Sequence, residues 1–242
     1  MARGAMRVLV TRPSDQAART AKRLAALGHR PFCAPALEIV PIAVPAPGGP
    51  FDLIVAASAQ AFAGLAPEPA LRAAPLFCVG EKTAEAGRAL GFRVAFVAPR
   101  AEALAARLAA EKAPGSALYL AGRERKALLE DSLRAAGWRL TILETYDARP
   151  VAAWPPDIRA ALDNGDIDAV LHYSPRSAAA ALGLIGAGAA SRLIHVCLSE
   201  DIAAICRAWA PAEKIFTAFQ PDEESLLTRL DSPGHPAGSD RE

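Results

Sequence analysis

The chain has 242 residues, of which 52% are hydrophobic, and its formal net charge is +1. It is long enough to bury one large core or two smaller ones, and its balanced charge excludes a strong overall attraction to nucleic acid or to an anionic membrane. The opening MARGAMRVLVTRP leads almost directly into a strand, so we expect no signal peptide, and no apolar run approaches the ~20 residues of a membrane span.

Strand-like segments alternate with helical segments along the chain. In order, the predicted strands are RVLVT, LEIVPI, DLIVAAS, LFCVG, RVAFVA, ALYLAG, LTILETY, AVLHYS, IHVCLS and KIFTAF. Most of them precede a stretch with helical periodicity, and this alternation predicts an α/β fold in which helices cover both faces of parallel sheets. Ten strands are too many for one sheet of this chain, so we predict two sheets of about five strands. We expect the polar tail 232–242 to be disordered.

The sequence contains an internal repeat. DLIVAASAQAFAGL aligns with DAVLHYSPRSAAAALGL, and CVGEKTAEAGRA aligns with CLSEDIAAICRA. The longer stretch that begins RVLVTRPSDQ likewise resembles the one that begins ALYLAGRERK. Short and long units therefore alternate along the chain, and we expect each domain to contain one short and one long unit. The repeat alone does not decide whether sequential or crossed units pair.

Polar and glycine residues stand where predicted strands end. They are Ser58, Gly80, Gly122, Ser174 and Ser199, and Arg12 follows another strand. Ligands of open α/β sheets bind beyond the carboxyl ends of the strands, and the free N–H groups of helix N-termini there favour anions. A serine before a helix is also the commonest helix cap, so binding and capping both remain open for these residues.

Several common kinds of site are disfavoured. No G-x-G-x-x-G, P-loop or G-x-S-x-G motif follows a strand, and the histidines and carboxylates show no metal-ligand spacing. We interpret His172 and His195, inside predicted strands, as core residues. The cysteines lie in apolar runs without a C-x-x-C pair, so we interpret them as small core residues of a reduced, cytoplasmic protein: Cys33, Cys78, Cys197 and Cys206.

Four stretches of the chain form a distinctive series: VLVTRP, VGEKTAEA, LYLAGRERKALLEDSLRAAGWRLTILETYDARP and VLHYSPRSA, in this order. Together they resemble the uroporphyrinogen-III synthase family, and the likeness extends over about residues 7–230. The resemblance implies two flavodoxin-like or Rossmann-like domains joined by a two-stranded antiparallel ladder, with the active site in the cleft between them. It selects the crossed pairing, with 1–43 and 152–242 in one domain and 44–151 in the other.

The resemblance also implies a reaction. The substrate is the linear tetrapyrrole hydroxymethylbilane, which is cyclised with inversion of ring D and loss of water, and neither a cofactor nor a metal is needed. Tyr146 in ETYDAR is the implied acid for the departing hydroxyl, and packing with hydrogen bonding at the domain joint is the alternative role for this residue. The residues implied to bind the substrate are Arg12, Ser58, Thr83, Gly122, Arg123, Ser174, Arg176 and Ser199.

One departure from the family and one alternative function accompany this prediction. The second G-x-x-T-A turn reads LSEDIAA, with Ser199 for glycine and Ile202 for threonine, which puts a threonine contact there in doubt. A non-enzymatic cytosolic protein that binds or senses a small molecule would have the same general architecture, whereas a two-domain glycosyltransferase would need a longer chain. For the enzyme we expect a cytoplasmic monomer that binds no nucleic acid or membrane, with transient hand-over of substrate from hydroxymethylbilane synthase.

Overall fold

The computed structural model describes residues 4–231, except 46, 49, 68, 112 and 113, and the predicted tail 232–242 lies outside this range. Over these residues the chain forms eleven strands and ten α-helices. In chain order they are β1 (Arg7–Val10), α1 (Ser14–Ala26), β2 (Arg30–Cys33), β3 (Leu37–Pro41), β4 (Leu53–Ala56), α2 (Pro69–Ala73), β5 (Pro75–Val79), α3 (Glu81–Ala89), β6 (Arg93–Ala98), α4 (Ala101–Ala109), β7 (Ser116–Gly122), α5 (Leu128–Ala135), β8 (Arg139–Pro150), α6 (Pro156–Asp163), β9 (Ala169–His172), α7 (Pro175–Ile185), α8 (Ala187–Ala190), β10 (Ile194–Cys197), α9 (Glu200–Cys206), β11 (Ile215–Thr217) and α10 (Glu223–Asp231).

The chain divides into two compact units. The first unit comprises Met1–Glu38 and Pro150–Glu242, and the second comprises Ile39–Arg149. The long unit with β1 and β2 therefore lies with the short unit that contains β9 to β11, which is the crossed arrangement of the repeat. The divisions fall at 38/39 and 149/150, a few residues before the predicted positions 43/44 and 151/152. Within the described residues, no helix combines the length and the apolar character required to cross a membrane.

The first unit is built on a five-stranded sheet in the order β11-β10-β9-β1-β2, and all its pairings are parallel. The four residues of β9 are fully buried because helices cover both faces of the sheet. Leu9 and Val170 pack against α6 to α9 on one face, whereas Val8 and Leu171 pack against α1 and α10 on the other. This two-sided burial explains why the strands read as continuous apolar runs rather than as alternating patterns.

The sequence patterns missed one strand of this sheet. β2 has the sequence RPFC, lies at the sheet edge beside β1, and is only partly buried. Proline lacks an N–H donor and is tolerated mainly on edge strands, so Pro31 fits this position although it weakens the strand pattern.

The second unit is built on a six-stranded sheet in the order β3-β8-β7-β4-β5-β6. From β8 to β6 the pairings are parallel. The N–H of Ile42 donates to the carbonyl of Thr145 at 2.8 Å, and that of Val151 donates to Ala36 at 3.1 Å. Residue numbers rise on one side of this ladder as they fall on the other, so β3 and β8 run antiparallel, in agreement with the predicted ladder.

The aspartate at the start of each short repeat has the same structural role in both units. Asp168 accepts a hydrogen bond from the backbone N–H of Arg7 at 2.8 Å, and Asp52 accepts one from the N–H of Ser116, also at 2.8 Å. Each carboxylate thereby satisfies the first donor of the neighbouring strand. These bonds lower the pKa of Asp52 through Ser116, and Arg7 lowers the pKa of Asp168 through its side chain. The repeat is therefore visible in contacts as well as in sequence.

Candidate functional site

Each sheet has one point at which its strand order reverses. In the second sheet, β4 connects to β5 on one side and β7 connects to β8 on the other, so the reversal lies between β4 and β7. In the first sheet it lies between β1 and β9, by the same reasoning. Loops diverge at such a point and leave a crevice beyond the carboxyl ends of the strands, where ligands of this fold class bind.

The second unit has a pocket of about 350 Å³ at its reversal point. Ala57 and Ser58 line it from the end of β4, Ala121 and Gly122 from the end of β7, and Tyr146 from β8. Three residues that the sequence predicted for the site, Ser58, Gly122 and Tyr146, are thus brought together in one pocket. Small side chains at the strand ends leave the space open.

Tyr146 lies directly on Gly122. The two residues are paired across a β-bulge of β7 and β8, and the N–H of Arg123 donates to the Tyr146 carbonyl at 2.9 Å. A Cβ atom added at Gly122 would lie 2.7 Å from the Cζ atom of Tyr146 and 2.9 Å from its hydroxyl oxygen. The ring occupies this place only because residue 122 has no side chain. In the described part of the chain no group hydrogen-bonds the Tyr146 hydroxyl, so it is free to donate to a ligand.

Two cationic side chains line the pocket: Arg125 is bound within the protein, whereas Lys126 is available to a ligand. The Arg125 side chain is 19% exposed and binds the Gly122 carbonyl at 2.9 Å, Glu144 at 3.0 Å and Glu130 at 2.5 Å. It therefore braces the end of β7, and its hydrogen bond to Glu144 lowers the pKa of that carboxyl. Lys126 lines the same pocket, is exposed, and has no ion-pair partner among the described residues.

Arg123 stands beside the pocket and is already paired. Its guanidinium contacts Glu144 at 3.2 Å and Asp147 at 3.4 Å. The Arg123 side chain is 48% exposed and that of Glu144 is 38% exposed, and a solvated pair of this kind is worth only ~0–1 kcal/mol, whereas the Asp147 side chain is only 9% exposed. A ligand carboxylate could therefore recruit Arg123 at little cost. Asp147 is also paired with Arg149 at 3.0 Å.

The corresponding point of the first unit is filled by the chain itself. Arg12 stacks on the ring of Tyr173, with 4.0 Å between the guanidinium carbon and the ring centroid, and donates to Glu223 at 2.8 Å and to Gln16 at 2.6 Å. Thr20 also donates to Glu223. Arg12, predicted as a substrate contact, thus has its donors engaged within the first unit.

Burial affects the pKa values of Tyr173 and Glu223 in this cluster. It raises the pKa of Tyr173 to about 12. Burial also opposes ionisation of Glu223, but the hydrogen bond from Thr20 and the charges of Arg23 and Arg12 outweigh it, so the pKa of Glu223 is lowered. The cluster is therefore held by an ionised carboxylate.

Strand registers relate the two reversal points residue by residue. Val8 pairs with Ala169 in the first sheet as Ala117 pairs with Leu53 in the second. Counting along the strands, Arg12 then corresponds to Ala121 and Tyr173 to Ala57. Two alanines that line the second unit's pocket thus replace the stacked pair that fills the first.

Ser58 and Ser174 are caps. The Ser58 hydroxyl accepts from the N–H of Gln60 at 3.3 Å, and the Ser174 hydroxyl accepts from the N–H of Ser177 at 3.2 Å. Pro175 occupies the first position of α7 and lacks a donor to satisfy. The start of α7 therefore accounts for Ser174 followed by Pro175. Arg176, in the first turn of α7, is partly exposed and has an interaction partner.

The two G-x-x-T-A turns differ in backbone conformation. Gly80 precedes α3 with a φ of 78°, a value that favours glycine, whereas Ser199 precedes α9 with a φ of −151°. The departure at Ser199 thus accompanies a different turn. Thr83 and Ile202, at equivalent positions, are 3% and 1% exposed. Both point into their units, and Thr83 does not line the pocket of Ser58 and Tyr146.

Sequence reasoning did not select Tyr119 for the site. It lies on β7 in a run of apolar residues, lines the pocket, and is 4% exposed. Burial raises its pKa to about 12, so it contributes a neutral phenol ring to the pocket wall. Because Tyr119 lies next to Leu120 in an ordinary apolar strand pattern, nothing in the sequence indicated that it lines the pocket.

Comparisons with known proteins identify the family. Residues 18–228 match the family described as uroporphyrinogen-III synthase HemD. The uroporphyrinogen-III synthetase of Helicobacter pylori is similar in fold, with a TM-score of 0.62 and 16% identity over 93% of this chain and 98% of that one. A mutant uroporphyrinogen III synthase of Thermus thermophilus has a TM-score of 0.52 and 19% identity over 93% and 97%. No curated protein sequence matches. The match over residues 18–228 shows that the chain belongs to the uroporphyrinogen-III synthase family.

Proposed function

We propose that this protein converts hydroxymethylbilane into uroporphyrinogen III, by cyclisation with inversion of ring D and loss of water. Family membership over residues 18–228 supports the reaction. The observation that carries the proposal at the site is the Tyr146 hydroxyl, which has no hydrogen-bond partner among the described residues and lies on the wall of the second unit's pocket together with Lys126. No second function is favoured by a described residue.

Tyr146 is proposed to assist departure of the substrate hydroxyl. A phenol is protonated at neutral pH, so its O–H can donate to the bilane hydroxyl as the C–O bond breaks and water leaves. The remaining azafulvene cation is stabilised by its own electron-rich pyrrole, which limits how much the enzyme has to contribute to this step. Most of the rate and all of the selectivity then come from the orientation of ring D.

The substrate's acetate and propionate groups are proposed to bind to cations and N–H groups at the strand ends. Lys126 supplies a free ammonium, and the half-exposed Arg123 can exchange a carboxylate of the protein for one of the ligand. Ser58 is proposed to contribute through the backbone near its turn, since its hydroxyl accepts from Gln60. Because the bilane loses its hydroxyl unaided, the proposed reaction requires no cofactor or metal.

We also propose that the protein acts as a cytoplasmic monomer and receives the bilane by transient hand-over from hydroxymethylbilane synthase. The support is chemical. The free bilane closes by itself without inversion, so a short interval between its release and its capture preserves the product.

A coupled assay tests the function. Hydroxymethylbilane is generated in situ by its synthase, the purified protein is added, and the products are oxidised to uroporphyrins and separated by isomer. We expect isomer III in the presence of the protein and isomer I in its absence. If only isomer I forms while the protein still binds a tetrapyrrole, the protein is a binding module and the proposed reaction is wrong.

A further inference from the structure

Tyr119 is a buried tyrosine whose hydroxyl the protein itself does not use. It lies on β7, is 4% exposed and lines the second unit's pocket. Among the described residues, none forms a hydrogen bond with its hydroxyl. A buried hydroxyl without a partner destabilises a fold, and buried tyrosines usually have one. The hydroxyl therefore requires an explanation other than packing.

The equivalent position of the first unit shows that packing alone does not require a phenol there. The strand registers that relate Ala117 to Val8 also relate Tyr119 to Val10. Val10 is 0% exposed and has no polar side-chain atom. A strand beside the reversal point can thus be buried with an aliphatic residue. The Tyr119 hydroxyl is an addition found in the unit that has the open pocket.

The hydroxyl end of the Tyr119 ring lies toward the pocket. Burial raises the pKa of this phenol to about 12, the nearby Tyr146 phenol also raises it, and the Arg125 guanidinium lowers it. Tyr146 and Arg125 both line the pocket, so the hydroxyl is close to that wall. Ala121 is the next residue of β7 on the same face of the sheet, and its short side chain leaves the ring uncovered.

Two helix N-termini border the same pocket. The Tyr119 ring packs in one core cluster with Leu104 of α4 and Leu129 of α5, so it is held between these helices. Ala101 and Leu128, the first residues of α4 and α5, line the pocket, and neither helix start has a side-chain cap bond. The first N–H groups of a helix have no acceptor within it, and they favour an anion.

The acidic side chains of the pocket lie on its solvent side. Glu102 and Glu124 line the pocket and are both exposed, and Glu102 is 4.0 Å from Arg100. Water and salt screen exposed charges, whereas hydrogen bonds at the buried end form in a medium of lower dielectric constant. The buried end, with Tyr119, is therefore the place for a ligand carboxylate.

We propose that Tyr119 is a ligand-binding residue whose hydroxyl donates to a carboxylate of the bound tetrapyrrole at the N-termini of α4 and α5. This inference rests on the proposed function, since the acetate and propionate groups of the bilane supply the carboxylate. A hydrogen bond from a neutral phenol to an ionised carboxylate is stronger than one between neutral groups. Tyr119 thus holds the substrate, whereas Tyr146 is proposed to act on the departing hydroxyl.

Binding of uroporphyrin III tests this contact without any reaction. This stable porphyrin carries the same acetate and propionate groups as the proposed product, and its fluorescence anisotropy gives the dissociation constant with the full-length protein. We expect Tyr119→Phe to raise Kd by about 10-fold or more, the effect of losing one hydrogen bond to a charged group. The melting temperature of the free variant should be unchanged or higher, because the substitution removes a buried hydroxyl that has no partner among the described residues.

Tyr173→Phe is the matched control. Tyr173 is a partly buried tyrosine of the first unit, and its hydroxyl donates to Glu223 at 3.3 Å. This control should lower the melting temperature and leave Kd unchanged, the opposite of the result expected for Tyr119→Phe. An unchanged Kd in Tyr119→Phe, a clear fall in its melting temperature, or a wild type that does not bind uroporphyrin III would each overturn the proposal.

The contact and the proposed reaction can fail separately. If the protein forms no isomer III but Tyr119→Phe weakens uroporphyrin binding, the reaction is wrong and the contact stands. If isomer III forms while Tyr119→Phe binds uroporphyrin III as tightly as the wild type, the reaction stands and the contact is wrong.

Discussion

Substitution of Gly122 by alanine tests whether the position of the Tyr146 ring matters for catalysis. The new Cβ atom would lie 2.7 Å, 2.8 Å and 2.9 Å from the Cζ, Cε2 and hydroxyl oxygen atoms of Tyr146. Non-bonded carbon atoms prefer ~3.5–4.0 Å, so the ring has to retreat by about 1 Å. Its hydroxyl then moves away from the place where it meets the substrate.

The expected effect on rate follows from this displacement. A misplacement of ~1 Å can cost ~100-fold, so we expect Gly122→Ala to lower kcat by about 10- to 100-fold, with ~1–3 kcal/mol of destabilisation from overpacking. Tyr146→Phe should lower kcat by no more than about 100-fold, the low end of general-acid effects, because the bilane loses its hydroxyl readily. KM should change little, since the contact strengthens in the transition state. Isomer III should remain the product of both variants.

The assay measures initial rates of isomer III formation together with thermal stability. Gly183→Ala is the matched control, because a Cβ atom there meets nothing within 4 Å. If both substitutions act through one hydroxyl, Gly122→Ala should cost far less in the Tyr146→Phe background than in the wild type. Full kcat in Tyr146→Phe would show that the hydroxyl takes no part in the reaction, and full kcat in Gly122→Ala would show that the ring position is unimportant.

Three further predictions concern capping, acid stability and substrate charge. Ser174→Ala should destabilise the protein by ~1 kcal/mol in urea unfolding, whereas Ser199→Ala, at a helix start without a side-chain cap bond, should cost less; equal losses would contradict the cap. A carboxyl whose pKa is lowered on folding stabilises the folded protein above its unfolded pKa, and that stabilisation is lost as pH falls through its folded pKa. Because folding lowers the pKa of Glu223, the free energy of unfolding of the wild type should fall more from pH ~6 to pH ~3 than that of Glu223→Gln. Parallel losses in the two proteins would refute this. Lys126→Gln should raise KM up to about fivefold at unchanged kcat; an unchanged KM would remove Lys126 from the binding site.

The sequence predicted two parallel sheets covered by helices because two independent signals agreed, whereas the crossed pairing and the ladder followed from the family resemblance. Apolar strands that alternate with helices specify sheets buried on both faces, and the internal repeat located the strand ends. β2 was missed because Pro31 and partial exposure remove the apolar pattern from an edge strand. The order of strands in each sheet could not be obtained from patterns alone, since pairing depends on contacts such as that of Asp168 with Arg7, which are 161 positions apart.

The sequence predicted which backbone positions border the candidate site, but not which side chains are available there. Ser58, Gly122 and Tyr146 were selected because each belongs to a strand end or to the ladder, and they line one pocket. Arg12 lies at an equivalent strand end, yet its side chain is committed to Tyr173 and Glu223. Position along a strand predicts where a side chain starts, whereas the neighbouring side chains decide whether it is available. The availability of a side chain depends on residues distant in sequence, so no local motif predicts it.

The two halves of the repeat therefore carry different chemistry on the same backbone plan. Where the first unit has Arg12 and Tyr173, the second has Ala121 and Ala57, and the volume that a guanidinium and a phenol ring would occupy is left as the pocket. The first reversal point gains a partly buried ion pair, with the Arg12 side chain 20% and the Glu223 side chain 21% exposed, and a stacked ring. The second lacks that packing, and its wall keeps a phenol hydroxyl that has no hydrogen-bond partner among the described residues. If side-chain packing at both reversal points were required for stability, both crevices would be filled. The open point is therefore the better candidate for selection by ligand binding, and exchange of Ala57 for a large side chain should abolish activity without unfolding the first unit.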